Sequence, residues 1–210
     1  MKRPIAMIAG TGHAVPKKAL TNHEFASLGI ETSDEWIVER TGIKQRYIAG
    51  EGESLTSLSA EAARQAMKVA GVTAPELDII VLGTASPDRL LPATAVEVQA
   101  ELGATRAAAF DIAAACSGWV YGMKMAEGLM ALHDAETVLV IGAETLSRIV
   151  NWKDRNTCVL WRRRGRDGAQ AVHQGARHSL RLPAQRRHAR RSAAASGGWL
   201  AAPGDARSAG

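Results

Sequence analysis

Apolar residues fall along this chain in short unbroken runs, separated by longer stretches in which apolar positions recur every three or four residues. The first run, Ile5–Ala9, reads as a strand ending at Gly10. Asp78–Ala85 (DIIVLGTA), Ala107–Ile112 and Thr137–Ala143 (TVLVIGA) are apolar, and the first and last are rich in β-branched residues; all three read as buried strands. Asn156–Leu160 starts a further strand. Between them lie predicted helices. One follows Thr32-Ser33-Asp34-Glu35, where the spacing suggests a capping box with Thr32 as cap and Glu35 reaching back, and it should stop near Gly42. A second covers about Ser54 to Ala70, with Leu58, Ala62, Met67 and Ala70 near helical spacing and Gly71 as its stop. A third covers Thr94–Leu102 before Gly103, and a fourth Ser117–His133. Strands alternating with helices predict an α/β sheet covered on both faces. There is no internal repeat in this stretch.

The pattern ends at Leu160. The last 50 residues hold 12 Ala, 11 Arg and 7 Gly, with neither strand alternation nor a sustained helical stripe. This composition predicts a disordered or poorly packed basic tail over 161–210 and an ordered unit over 1–160. Charge divides at the same place: residues 1–160 carry a net −4 and residues 161–210 a net +9. The overall +5 therefore comes wholly from the tail. Such asymmetry commonly marks a nucleic-acid arm. The arginine clusters at 162–166 and 186–191 have no aromatic interleaving and no nucleic-acid fold motif, so nucleic-acid binding is not expected.

The remaining bulk properties exclude other classes. No apolar run reaches the roughly 20 residues that span a bilayer, and Ile5–Ala9 is shorter than the roughly 7–15 residues of a secretory signal. The expectation is a cytoplasmic protein without a membrane partner. Two cysteines, Cys116 and Cys158, make no disulfide framework.

Cys116 lies between a predicted strand and a predicted helix, the strand–turn–helix placement of a nucleophile elbow. The positive end of a helix dipole favours a thiolate over a thiol. Ala113, Ala114, Ala115 and Gly118 leave room for an incoming thioester, and Gly118 and Gly122 allow the helix to pack closely on another element. A lone cysteine is ordinarily a buried structural residue. That reading suits Cys158, which sits beside Val159 and Leu160; the surroundings of Cys116 favour a nucleophile.

Three segments carry a family resemblance: SDEWIVERTGIKQRYIA (33–49), DIAAACSGW (111–119) and IGAETLSRIVNWKDRNTCVL (141–160). They resemble the β-ketoacyl-acyl carrier protein synthase III family, thiolase-like condensing enzymes that initiate bacterial fatty acid synthesis. The resemblance covers residues 1–160, the amino-terminal half of such an enzyme. It implies that Cys116 takes an acyl group, commonly acetyl, from coenzyme A as a thioester. Malonyl-acyl carrier protein then decarboxylates and its carbanion attacks that thioester. A His and an Asn from the other half of the fold assist decarboxylation, with backbone amides as oxyanion hole. No separate cofactor and no metal is implied, since coenzyme A enters as part of a substrate. The partners implied are acyl-CoA, malonyl-acyl carrier protein and a second copy in a homodimer.

By the same resemblance, Trp36 and Arg40 correspond to positions that hold the adenine of coenzyme A. An indole and a guanidinium four residues apart on a helix share a face and can sandwich a purine. Arg155 corresponds to a further coenzyme A contact toward phosphate. Leu91 corresponds to a residue that crosses the dimer to close the partner's acyl pocket.

The family continues after the position of Leu160 with Phe-Gly-Asp-Gly-Ala-Gly-Ala; this chain continues Trp161-Arg162-Arg163-Arg164-Gly165-Arg166-Asp167. Read one base later, TGG followed by CGN codons gives Gly and then residues drawn from Val, Ala, Asp, Glu and Gly. That set accommodates the family's Gly-Asp-Gly-Ala-Gly-Ala. A frameshift near Trp161 therefore explains the composition jump, and it removes the family's His and Asn. His173, His178 and His188 fall in the shifted tail and receive no catalytic role. Two alternatives stand beside a frame-damaged synthase: a non-catalytic fragment with a basic nucleic-acid-binding tail, and a related condensing enzyme of secondary metabolism.

Overall fold

The computed structural model describes residues 6–132, residues 135–154 and the backbone of 168–176. At its centre is β4 (Ile79–Gly83), buried along its whole length. It runs parallel to β5 (Ala108–Ile112) on one side and β6 (Thr137–Glu144) on the other. Successive side chains of a strand point to opposite faces, and the apolar runs fill both. Ile80, Leu82, Leu139 and Ile141 pack on one face with residues of α3 (Leu55–Ala70) and α4 (Thr94–Leu102). Ile79, Val81, Val138 and Val140 pack on the other with Ala126 and Met130 of α5 (Gly118–Ala131). This is the predicted two-sided α/β arrangement.

Helix boundaries follow local chemistry. Ser54 caps α3 by accepting from the Ser57 amide at 2.9 Å, while the Ser57 hydroxyl accepts from the Ser54 amide at 3.0 Å. Both α3 and α4 stop at a left-handed glycine, Gly71 and Gly103, as the sequence predicts.

The helix α2 (Asp34–Thr41) corrects one expectation. Its cap is Ser33, which accepts from the Trp36 amide at 3.2 Å, and not Thr32. The hydroxyl of Thr32 is buried without a hydrogen-bond partner. Ser33 has the extended backbone a cap needs, one residue later than the box pattern suggests. Glu35 still serves the helix end: its own amide and then the Ser33 hydroxyl hold its carboxyl below the usual carboxylate range.

A small subsidiary layer adds three elements that the sequence pattern did not show, β2 (Lys18–Thr21), β3 (Gln45–Ile48) and α1 (Asn22–Ala26), beside the predicted α2. β2 and β3 pair antiparallel, and Leu20, Phe25, Ile30 and Ile37 form the core beneath them. Arg46 is fully buried there; it donates to Asn22 Oδ1 at 2.7 Å and lies 4.9 Å from the centre of the Phe25 ring. Asn22 in turn donates to Asp34 at 2.8 Å and to the Ile43 carbonyl at 2.6 Å, which fixes the start of α2.

The tail supplies the second correction. Residues Gly168–Ala176, expected to pack poorly, form β7. This strand runs antiparallel to both β1 (Ala6–Ala14) and β6, giving the sheet order β1-β7-β6-β4-β5. A strand flanked on both sides is held by main-chain donors and acceptors that every non-proline residue carries. A side-chain pattern search therefore passes over it. In the sequence, Asp167-Gly168-Ala169-Gln170-Ala171 repeats most of the family's Asp-Gly-Ala-Gly-Ala segment, displaced along the chain. That was the available signal. The predicted strand at 156–160 lies outside the described residues.

Candidate active site

Strand β5 leads into the turn that carries Cys116. Ala114 leaves the extended region at φ −133° and ψ 25°, and Ala115 takes φ +43°. A positive φ costs a residue with a Cβ about 1–2 kcal/mol and is commonly retained at functional turns. One turn of 3-10 helix, Ala115–Ser117, follows, and α5 begins at Gly118. Cys116 thus sits in the turn that feeds the amino end of α5, the strand–turn–helix placement expected of it.

The turn is clamped from below. A Cβ on Gly83 would lie 2.7 Å from the carbonyl carbon of Gly118, so the end of β4 and the start of α5 touch backbone to backbone. One turn later a Cβ on Gly122 would lie 2.9 Å from Val140. The close packing expected of Gly118 and Gly122 is therefore present. Beside them Trp119 covers Gly142, and its indole nitrogen is buried without a hydrogen-bond partner.

Cys116 itself is exposed. Two carboxylates organise the surroundings. Asp111, on β5, accepts from the Thr94 and Ala95 amides at 2.8 Å each and so holds the amino end of α4. Glu144, at the end of β6, accepts from the Ala85 amide at 2.9 Å and from the Ser86 hydroxyl, fixing the loop that leaves β4. Sequence reading missed both: a carboxylate whose partners are main-chain amides of a distant element leaves no local pattern.

The same loop carries Leu91. It is 84% exposed and its neighbour Leu90 is 90% exposed, so both project from the described surface. Asp88 anchors the loop by accepting from the Leu55 and Thr56 amides at 3.0 and 2.9 Å and from Arg148 at 2.9 Å. Asp88, Arg148, Thr56 and Glu97 line a cavity of about 420 Å³ that includes none of the predicted site residues.

Trp36 and Arg40 share a face of α2, as their spacing requires. The Arg40 guanidinium carbon lies 4.5 Å from the centre of the Trp36 ring. A purine between two planes needs roughly 7 Å, twice the roughly 3.5 Å contact distance. The pair as it stands is stacked on itself, and a base enters only if Arg40 swings out. Arg40 is half-exposed, with a surface ion pair to Glu39 at 3.4 Å, so little holds it. Arg155 lies outside the described residues.

Among the described residues no group of three or more His, Cys, Asp and Glu is placed to hold a metal ion, and no helix is long and apolar enough to cross a membrane.

Comparison with known proteins gives a consistent picture. The family profile described as 3-Oxoacyl-[acyl-carrier-protein (ACP)] synthase III matches residues 110–181, a range that includes Cys116 and runs on through β7. The β-ketoacyl-[acyl-carrier-protein] synthase III of Rhodospirillum centenum is 54% identical over 167 residues, covering 80% of this chain and 50% of that protein. Among solved structures, 3-oxoacyl-[acyl-carrier-protein] synthase III from Aquifex aeolicus VF5 superposes with a TM-score of 0.77 at 46% identity, over 83% of this chain and 55% of that one. The priming β-ketosynthase of the R1128 polyketide biosynthetic pathway also gives 0.77, at 31% identity, over 83% and 51%. The chain therefore spans about half the length of the curated relatives it matches, and through that half it belongs to the 3-oxoacyl-[acyl-carrier-protein] synthase III family, with a thiolase-like fold.

Proposed function

We propose that this chain carries the acyl-accepting half of a condensing enzyme that initiates fatty acid synthesis in the cytoplasm, and that as written it does not complete the condensation. The observation that carries the reading is the strained turn presenting Cys116 ahead of α5. The Cys116 sulfur attacks the carbonyl carbon of an acyl-CoA thioester. The carbon–sulfur bond to coenzyme A breaks, coenzyme A leaves as its thiol, and an acyl-cysteine remains. Trp36 and Arg40 supply the adenine site once Arg40 swings off the indole, Arg155 supplies a phosphate contact, and Leu91 bounds the acyl pocket of a second copy. No cofactor beyond the coenzyme A thioester takes part.

The second step consumes malonyl-acyl carrier protein. Loss of carbon dioxide leaves a carbanion whose attack on the acyl-cysteine forms the new carbon–carbon bond and frees Cys116. Negative charge builds on the malonyl thioester carbonyl, and the His and Asn that the family resemblance requires for this step are assigned to no position of this chain. Losing one such donor typically lowers the rate by about 10²–10³. The proposed domain division is 1–160 as the synthase half and 161–210 as the Arg/Ala/Gly-rich tail, whose first part, through β7, still follows the family profile.

The test is a condensation assay with acetyl-CoA and malonyl-acyl carrier protein, run on the purified 210-residue chain and on the version with the frame restored at codon 161. The expected result is turnover by the restored protein and a rate at least about 10²-fold lower from the chain as written. Comparable rates from the two would overturn the reading. Resequencing the gene around codon 160 separates a sequencing error from a gene lesion. The likeness to a polyketide priming synthase supports a second reading, a condensing enzyme of secondary metabolism. Under that reading the restored protein prefers a primer other than acetyl-CoA.

A further inference from the structure

Ala115 holds a backbone conformation, φ +43°, that a residue with a Cβ keeps only when its surroundings impose it. The turn restrains itself little. Ala113, Ala115 and Cys116 are exposed, and its own main-chain bonds, Ser117 amide to Ala114 carbonyl and Gly118 amide to Ala115 carbonyl, stay inside it. Both of its ends are held instead by the end of β4. Ahead of the turn, the Thr84 amide donates to the Ile112 carbonyl at 3.2 Å. Behind it, Gly83 meets Gly118 backbone to backbone.

The end of β4 needs an anchor of its own, because its pairing stops there. Gly83 is the last residue in register with both neighbours, opposite Ile112 on β5 and Gly142 on β6. Beyond it Glu144 takes over. One carboxylate oxygen accepts from the Ala85 amide at 2.9 Å; the other accepts from the Ser86 hydroxyl and, at 3.4 Å, from the Thr84 hydroxyl. Thr84 Oγ1 in turn accepts from the Ser86 amide at 3.1 Å, and Ser86 Oγ from the Thr145 amide at 2.8 Å. Thr84, Ser86 and Thr145 are buried. An ionised carboxylate offers acceptors alone, on two oxygens, so one side chain can gather all three donors. The Glu144 backbone is fixed in β6, opposite Gly168 of β7. A chain of direct contacts thus runs from the middle of the sheet through Glu144 and the end of β4 to the turn at Cys116.

We propose that Glu144 is a positioning residue for acyl transfer to Cys116: by fixing Ala85 and Ser86 it holds the end of β4 against the strained turn, and so sets where the sulfur stands relative to a bound thioester. The inference rests on the acyl-transfer reading of Cys116 and adds to it a residue that acts through the backbone of β4. Misplacing a reacting group by about 1 Å can cost about 10²-fold in rate, so a loosened anchor acts on the limiting rate and spares thioester binding.

The test measures acetylation of Cys116 in the purified 210-residue chain over a range of acetyl-CoA concentrations, beside its alkylation by iodoacetamide, with circular dichroism to confirm folding. Glu144→Ala should lower the limiting acetylation rate by at least about tenfold. The half-saturating acetyl-CoA concentration and the iodoacetamide rate should stay within about twofold, since a small reagent needs an exposed sulfur and no bound geometry. Glu144→Gln can still hold the Ala85 amide with its oxygen and Ser86 Oγ with its nitrogen, and should recover to within about threefold of the parent. Ser86→Ala cuts the same link from the other side and should show the same split, so the test survives a Glu144→Ala chain that does not fold. Limiting rates equal to the parent's in Glu144→Ala and Ser86→Ala would overturn the proposal. So would acetylation and alkylation falling in parallel, which marks a merely structural residue. A parent chain never acetylated at Cys116 would overturn the acyl-transfer reading and this proposal with it, whereas an acetylated parent with indifferent variants sinks the proposal alone.

Discussion

At the scale of single residues, the site depends on what is missing from side chains as much as on what is present. Gly83 and Gly118 meet backbone to backbone under the Cys116 turn, and no flexible side-chain end can yield if one gains a methyl group. Gly83→Ala should therefore destabilise the chain by about 1–3 kcal/mol, read as a lower melting temperature, through overpacking. A melting temperature unchanged by this substitution would mean that the contact is looser than described. The turn at Cys116 and the close packing of Gly118 and Gly122 were legible in the sequence because a cysteine among small residues between a strand and a helix is a local pattern. Asp88, Asp111 and Glu144 were not, because each acts on main-chain groups far away in sequence. Trp36 and Arg40 were legible as sharing a face, but their direct stacking was not, since spacing fixes the face and not the rotamers.

At the scale of elements, much of the scaffold rests on carboxylates that tie down backbone amides. Asp111 joins β5, the strand that leads to Cys116, to the start of α4 with two charge-assisted bonds. Asp111→Ala should cost about 1–3 kcal/mol in stability by chemical denaturation, within the range for losing a helix cap and partly buried bonds to a charge. Glu53 does similar work for the approach to α3: the Gly50 amide, then the Lys17 amide and the Lys17 charge, hold its carboxyl below the usual carboxylate range against partial desolvation. A carboxyl whose folded pKa is depressed contributes stability that is full above its unfolded value and is lost as pH falls through the folded one. Glu53→Gln should therefore lower stability at neutral pH by up to about 1 kcal/mol, and the gap from the parent should close on acidification below the usual carboxylate range. A gap independent of pH would assign the effect to packing. The helices α3 and α4 were legible because their apolar period and glycine stops agree, and the strands β4 and β6 because each lies in an unbroken apolar run rich in β-branched residues. β2, β3 and α1 were not: at four or five residues each, they are too short to show a period. β7 was missed because pairing on both edges outweighs a side-chain pattern that points to no element at all.

At the scale of the whole molecule, the chain combines a family half of net charge −4 with a terminal stretch of net charge +9, and it spans about half of its curated relatives. On the function proposed above, the described layers present Cys116 but no group assigned to decarboxylation, so acyl transfer to the cysteine and condensation should come apart. The most direct measurement follows from that separation. The purified 210-residue chain is incubated with acetyl-CoA, digested, and its cysteine peptides mapped by mass spectrometry. The account predicts a hydroxylamine-labile acetyl group on Cys116, formed slowly, absent from Cys158 and lost in Cys116→Ser. Acetylation of both cysteines at equal rates, or labelling that survives Cys116→Ser, would contradict it.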